Sequence, residues 1–140
     1  MRGKSYEHQR MIELPERCAA YHGAQTEREH FVRLGEWHGY IDLLIKHGLL
    51  LIANEAENDS RRVENDVRKA VALRATHLLI VTPTAAVARA CERKLAGIPI
   101  PAGGPKVLVC TLGTALHRLA ALLASTGPGK LTTPQPKNQP

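Results

Sequence analysis

"IANEAENDSRRVENDVRKA", Ile52 to Ala70, changes character half-way along. It opens as an apolar, strand-like run, delivers Glu55 and Glu57, and then becomes a helix rich in Arg, Asn and Lys. Strand side chains alternate, so two glutamates two residues apart share a face. Like charges so placed repel, and a core has no use for them. Either something positive sits there or the strand has reached water.

The flanking sequence frames this stretch. Tyr40 to Lys46 reads as a strand, His47-Gly48 as a tight turn and Leu49 to Ala56 as the returning strand. Thr26 to Leu34 reads as an earlier strand, joined through the turn "GEWHG" from Gly35 to Gly39. Ser5 to His22 is helical, with Pro15 either kinking it or opening a second helix, and Gly23 is its stop. Downstream, Ser60 to Arg74 is a helix capped by Asp59 or Ser60, with Val63, Val67, Ala70 and Val71 on one buried stripe. "HLLIVT", His77 to Thr82, is a central strand. A helix from Pro83 or Thr84 to Leu95, a loop to Pro105, a strand from Lys106 to Leu112 and a helix from Gly113 or Thr114 to Ala124 complete the order. That order, α-βββ-α-β-α-β-α, predicts an α/β fold with a mixed β-sheet and helices on both sides.

At 140 residues the chain reads as one domain, residues 1–124, followed by a disordered, Pro/Gly-rich tail from 125 to 140. Cys18, Cys91 and Cys110 are odd in number and lack metal-ligand spacing, so they read as reduced thiols of a cytosolic protein, Cys91 and Cys110 in its core. No secretory leader is expected, and the apolar runs are too short and interrupted to span a membrane. Charge is uneven: up to Glu92 there are 13 Lys/Arg against 13 Asp/Glu, and from Arg93 onward 6 Lys/Arg and no acid. The net charge of +6 thus lies in the C-terminal third, which suits a polyanion approaching an acidic site or, equally, a soluble basic tail.

Asp42 interrupts the apolar strand "YIDLLI". A hairpin turning between His47 and Gly48 pairs Asp42 near Ala53, one step from Glu55. Three carboxylates converging in this way need a cation, and oxygen-only ligands select Mg²⁺ or Mn²⁺. Arg62, Asn65 and Lys69 form a polar stripe on the next helix, opposite Val63 and Val67, able to hold a phosphate. The plainer reading of that stripe is a solvated face with an Arg62–Asp66 pair.

Asp42, a turn, and then Glu55-Ala56-Glu57 resembles the PD-(D/E)xK nuclease superfamily, the restriction-endonuclease-like fold, in its E-x-E variant. The resemblance covers residues 5 to 95, and the motif is short. It implies that Asp42 matches the first acid, Glu55 the middle acid, and Glu57 the position usually held by lysine; Ile41 stands where the motif has proline. It further implies a lysine displaced onto the following helix, here Lys69, and an acid from the first helix, Glu7, Glu13 or Glu16. The implied activity is Mg²⁺- or Mn²⁺-dependent hydrolysis of DNA, plausibly by a homodimer. Two other readings stand beside it: a non-catalytic DNA-binding or assembly module of the same fold, and an α/β domain that binds a protein partner. Among weaker features, His38 or His47 could approach a substrate, and Trp37 could stack on a base or pack on the sheet.

Overall fold

The computed structural model describes residues 5–125. Helix α1 (Tyr6–Tyr21) begins where the Ser5 side chain accepts the His8 N–H at 3.0 Å. Strands β1 (Gln25–Leu34), β2 (Trp37–His47) and β3 (Leu50–Ala56) follow as an antiparallel meander. Then come α2 (Val63–Leu73), β4 (His77–Thr82), α3 (Ala85–Ala96), β5 (Lys106–Thr111) and α4 (Leu112–Ser125). The five strands form one mixed sheet in chain order, with β3, β4 and β5 parallel.

The sheet has a core on each face. Leu43, Ile45 and Ile52 pack with Met11 of α1 and with Leu119 and Leu123 of α4. Ile41, Ala53, Leu78 and Ile80 pack with Val63, Val67 and Ala70 of α2 and with Cys91 of α3. Cys91 and Cys110 are both buried, as small apolar side chains suit such places. Among the described residues, no helix is long and apolar enough to cross a membrane.

Pro15 neither ends α1 nor starts a second helix. Its missing N–H leaves the Met11 carbonyl without a helical donor. Asn54, fully buried on β3, supplies one: its Nδ2 donates to the Met11 oxygen at 3.3 Å. A tertiary hydrogen bond thus replaces the helical one that Pro15 removes.

Several expected boundaries shift. The first turn is Gly35-Glu36 alone, and Trp37 already belongs to β2. The second turn is Gly48-Leu49, with His47 still paired to Leu50. A left-handed residue is needed there, and Gly48 takes φ 59°. Helix α2 starts at Val63 rather than Ser60, and neither Asp59 nor Ser60 caps it. Asp59 instead accepts the Arg61 N–H at 2.8 Å and holds the preceding turn. β5 stops at Thr111, with α4 starting directly at Leu112 and reaching Ser125; the rest of the expected tail lies outside the described residues.

Candidate active site

Regular alternation fails at one point of the β1–β2 hairpin. Arg28 pairs with Glu16 of α1, whereas Val32 packs beneath α2 on the opposite face. Likewise Leu43 faces α1 and Ile41 faces α2. Residues of equal parity should share a face, so each strand slips by one side chain between these positions. The slip falls at Glu29, which has φ 52° and stands opposite Asp42, between the Arg28–Leu43 and His30–Ile41 pairs. β2 also stops pairing with β3 at Leu43–Asn54, so among the described residues its first part meets no further strand on that side.

Asp42 fills the gap that opens. Its Oδ2 accepts the Ala56 N–H at 2.9 Å, and its own N–H donates to Glu55 Oε1 at 3.3 Å. The turn at Gly48-Leu49 is what brings Asp42 level with Glu55. Pairing near Ala53 is therefore corrected: Ala53 lies opposite Leu44.

Glu55 and Glu57 do not reach water. They are 1% and 7% exposed. Ala53 points toward α2, so by alternation Glu55 and Glu57 do as well. The positive partner comes from that helix. Lys69 Nζ lies 2.9 Å from Glu55 Oε2 and 3.5 Å from Asp66 Oδ1, and donates to the Tyr40 carbonyl at 2.7 Å. Its stem crosses the backbone of Gly39, where an added Cβ would stand 3.2 Å from Lys69 Cδ and 3.3 Å from Trp37 Cη2. Gly39 is the opening through which Lys69 reaches the sheet.

Asp66 is buried beside these acids, and Glu55, Glu57 and Asp66 bring carboxylate oxygens within 4.8 Å of one another. Neither Asp66 oxygen accepts an aligned hydrogen bond. Burial, with Glu55 and Glu57 adding to it, pushes Asp66 up to about 11. Burial also raises Glu57, against the hydrogen bond to Asp66. A proton shared between Asp66 and Glu57 would reconcile the two facing carboxyls.

Glu55 is pulled both ways. Burial pushes it up to about 8, although Lys69 opposes the rise. Lys69 is itself raised: burial works against its charge, but Glu55 and Asp66 outweigh it. The 2.9 Å contact favours the ionised pair, because Lys69 stands closer to Glu55 than to Asp66, at 2.9 Å against 3.5 Å.

Asp42, Glu55, Glu57 and Lys69 line a cleft of about 820 Å³ along the edge of β2. Arg62 and Asn65 border the same cleft, as do Trp37, His38 and Arg61. Arg68 lies over the Trp37 ring at 5.2 Å. The six residues singled out by sequence, Asp42, Glu55, Glu57, Arg62, Asn65 and Lys69, therefore share one cavity. The plain solvated stripe does not hold, since Lys69 is buried and Asp66 faces inward to the acids instead of pairing with Arg62.

The chain matches no protein-family model, no curated protein and no solved structure. Other expectations are corrected by geometry. No acid of α1 borders the cleft: Glu13 pairs with Arg17 and Glu16 with Arg28, and the N-terminal end of α1 brings Ser5 and His8 instead. His47 is buried at the far end of β2 and is not part of the cleft. The compact carboxylate group includes Asp66, which the plainer reading of the stripe pairs with Arg62 at the surface. Its spacing of three from Lys69 on a helix was the available signal. The Tyr40 carbonyl and the Gly39 gap carry no side-chain signal at all.

Proposed function

We propose that this chain is a small metal-dependent nuclease that hydrolyses DNA phosphodiester bonds, with a restriction-endonuclease-like core of the E-x-E kind. One observation carries the reading: Lys69 of α2 meets Glu55 of β3 in a cleft that also holds Asp42 and Glu57. A strand-borne acid set beside a helix-borne lysine is the arrangement that the E-x-E resemblance implies.

The residues fit a hard divalent ion. Glu55, Glu57 and Asp66 offer only oxygen donors, closely grouped, and Asp66 has buried oxygens without hydrogen-bond donors. Glu55 and Glu57 would hold Mg²⁺ or Mn²⁺, with Asp42 or Asp66 completing the set. Such an ion supplies Lewis acidity at a phosphate oxygen and makes water more acidic. Lys69, fixed at its Nζ by Tyr40 and Glu55, supplies a preorganised positive charge for the phosphate. Arg62 and Asn65, at the rim, suit the neighbouring DNA backbone. A cytosolic location and a homodimer that cuts two strands belong to the same proposal.

The test is cleavage of plasmid and of single-stranded DNA in Mg²⁺ and in Mn²⁺, beside Glu55→Gln. The wild type should cut and the variant should not. A wild type no more active than Glu55→Gln on either substrate ends the enzyme reading. Salt-dependent DNA binding without cutting would leave the non-catalytic module.

A further inference from the structure

The slip at Glu29 and Asp42 has a second effect. Beyond it, one face of the β1–β2 hairpin carries Val32 and Ile41 into the core beneath α2. The other face presents Phe31 and Arg33 from β1 opposite Tyr40 and His38 from β2. The Phe31 and His38 rings stack at 5.6 Å with planes 28° apart, and Tyr40 meets Phe31 edge-on at 5.4 Å. Phe31 is 47% and Tyr40 53% exposed. Cross-strand aromatic pairing stabilises a hairpin, but it does not require open ring faces. The chain is poor in aromatics, yet three of its five Phe, Trp and Tyr fall between Phe31 and Tyr40.

We infer that this face is a stacking platform for the unpaired bases of single-stranded DNA, which makes the substrate a single strand, a flap or a frayed end. The inference rests on the nucleic-acid part of the function proposed above. His38 and Tyr40 border the cleft of Glu55 and Lys69, so a strand lying on the rings would reach that site by passing over the β2 edge. The two are adjacent in the chain, because the Tyr40 carbonyl that accepts from Lys69 and the Tyr40 ring belong to one residue. Arg33 in the aromatic block and Arg68 over Trp37 supply backbone charge along the same edge. Paired bases hide their faces in the duplex, whereas every unpaired base offers a π-face for a ring.

The experiment is fluorescence anisotropy in EDTA with a labelled oligo-dT and an abasic strand of equal length. Wild type should bind oligo-dT about 10-fold or more tightly than the abasic strand, the scale of stacking on one or two rings. Phe31→Ala and Tyr40→Ala should lose that preference, and Tyr40→Trp should keep it. Should Phe31→Ala fail to fold, Phe31→Leu retains the apolar bulk without the π-face and should lose the preference equally. Equal affinity of wild type for the two strands, or an unchanged preference in the Ala or Leu variants, overturns the inference. So does a dimer in sedimentation that Phe31→Ala dissolves while the base preference survives, since the face is then an interface between copies. Cutting of duplex plasmid without base preference leaves the nuclease and removes the platform. Base preference without cutting by any divalent ion does the reverse.

Discussion

Lys69 Nζ stands 2.9 Å from Glu55 Oε2, with the two side chains 9% and 1% exposed. A helix residue and a strand residue thus form a buried ion pair within the proposed site, where each charge is tolerable because the other is present.

Removing one partner leaves the other uncompensated. Lys69→Met should therefore cost about 3–5 kcal/mol, the scale for breaking a buried pair. The double variant Lys69→Met/Glu55→Gln should recover much of that loss. Urea denaturation of wild type, both single variants and the double variant measures the coupling. A Lys69→Met protein as stable as wild type would show that the pair is not closed in solution.

Asp66 predicts a pH dependence. A carboxyl raised by folding binds more protons folded than unfolded between its two pKa values, so stability falls as pH climbs through that window. For Asp66 the window runs from the ordinary 3.8 to about 11. Between pH 7 and 8.5 the melting temperature should fall, in a range above the lowered His77 and below the ordinary 9.0 of the raised Cys thiols. Asp66→Asn should flatten the slope and be the more stable protein at pH 8.5. Parallel curves for the two proteins would remove Asp66 as the group responsible.

A divalent ion should act on the same proton. Mg²⁺ or Mn²⁺ at about 100 times its dissociation constant should add roughly 2.7 kcal/mol of stability. Asp42→Ala and Glu55→Gln should lose the gain. Calorimetry in buffers of different ionisation enthalpy should show proton release on binding, which Asp66→Asn should abolish. An ion that leaves the wild-type melting temperature unchanged would mean the carboxylates are not a metal site.

Gly39 tests the path of Lys69. Gly39→Val would press a branched side chain on the Lys69 stem and on Trp37. Cleavage should drop by about 10-fold or more, since misplacing a positioned charge costs on the order of 10² in rate. DNA binding should persist. Equal cleavage by Gly39→Val and wild type would separate the lysine from the chemistry.

Asn54 and Pro15 form a testable cycle. Asn54→Ala should destabilise by about 1–3 kcal/mol by orphaning the Met11 carbonyl. In a Pro15→Ala background the helix regains its own N–H donor, and the same Asn54→Ala change should cost clearly less. Equal costs in the two backgrounds would mean that Asn54 acts in another way.

Much of the architecture is legible because it is periodic. The stripe of Val63, Val67 and Ala70 marks the buried face of α2, and the unbroken "HLLIVT" marks a strand covered on both sides. The turn at Gly48-Leu49 lies one residue beyond the expected His47-Gly48, since local sequence does not separate the two. That single step moves the partner of Asp42 from Ala53 to Glu55. Asp66 is open in the sequence for a related reason: a helix position near the edge of the apolar stripe is surface or site according to what faces it.

The sequence by itself determined the order of elements, the mixed sheet with helices on both faces, and the candidates Asp42, Glu55, Glu57 and Lys69, because these depend on local periodicity and on charges standing in apolar runs. Only the tertiary structure decided which charges meet. The slip at Glu29 and Asp42, the passage of Lys69 over Gly39 and the Asn54 donor to Met11 are contacts between distant segments, and their geometry depends on backbone twist and on the space left by packing. The raised pKa of Asp66 follows from the same source, since burial beside Glu55 and Glu57, and not residue type, sets it.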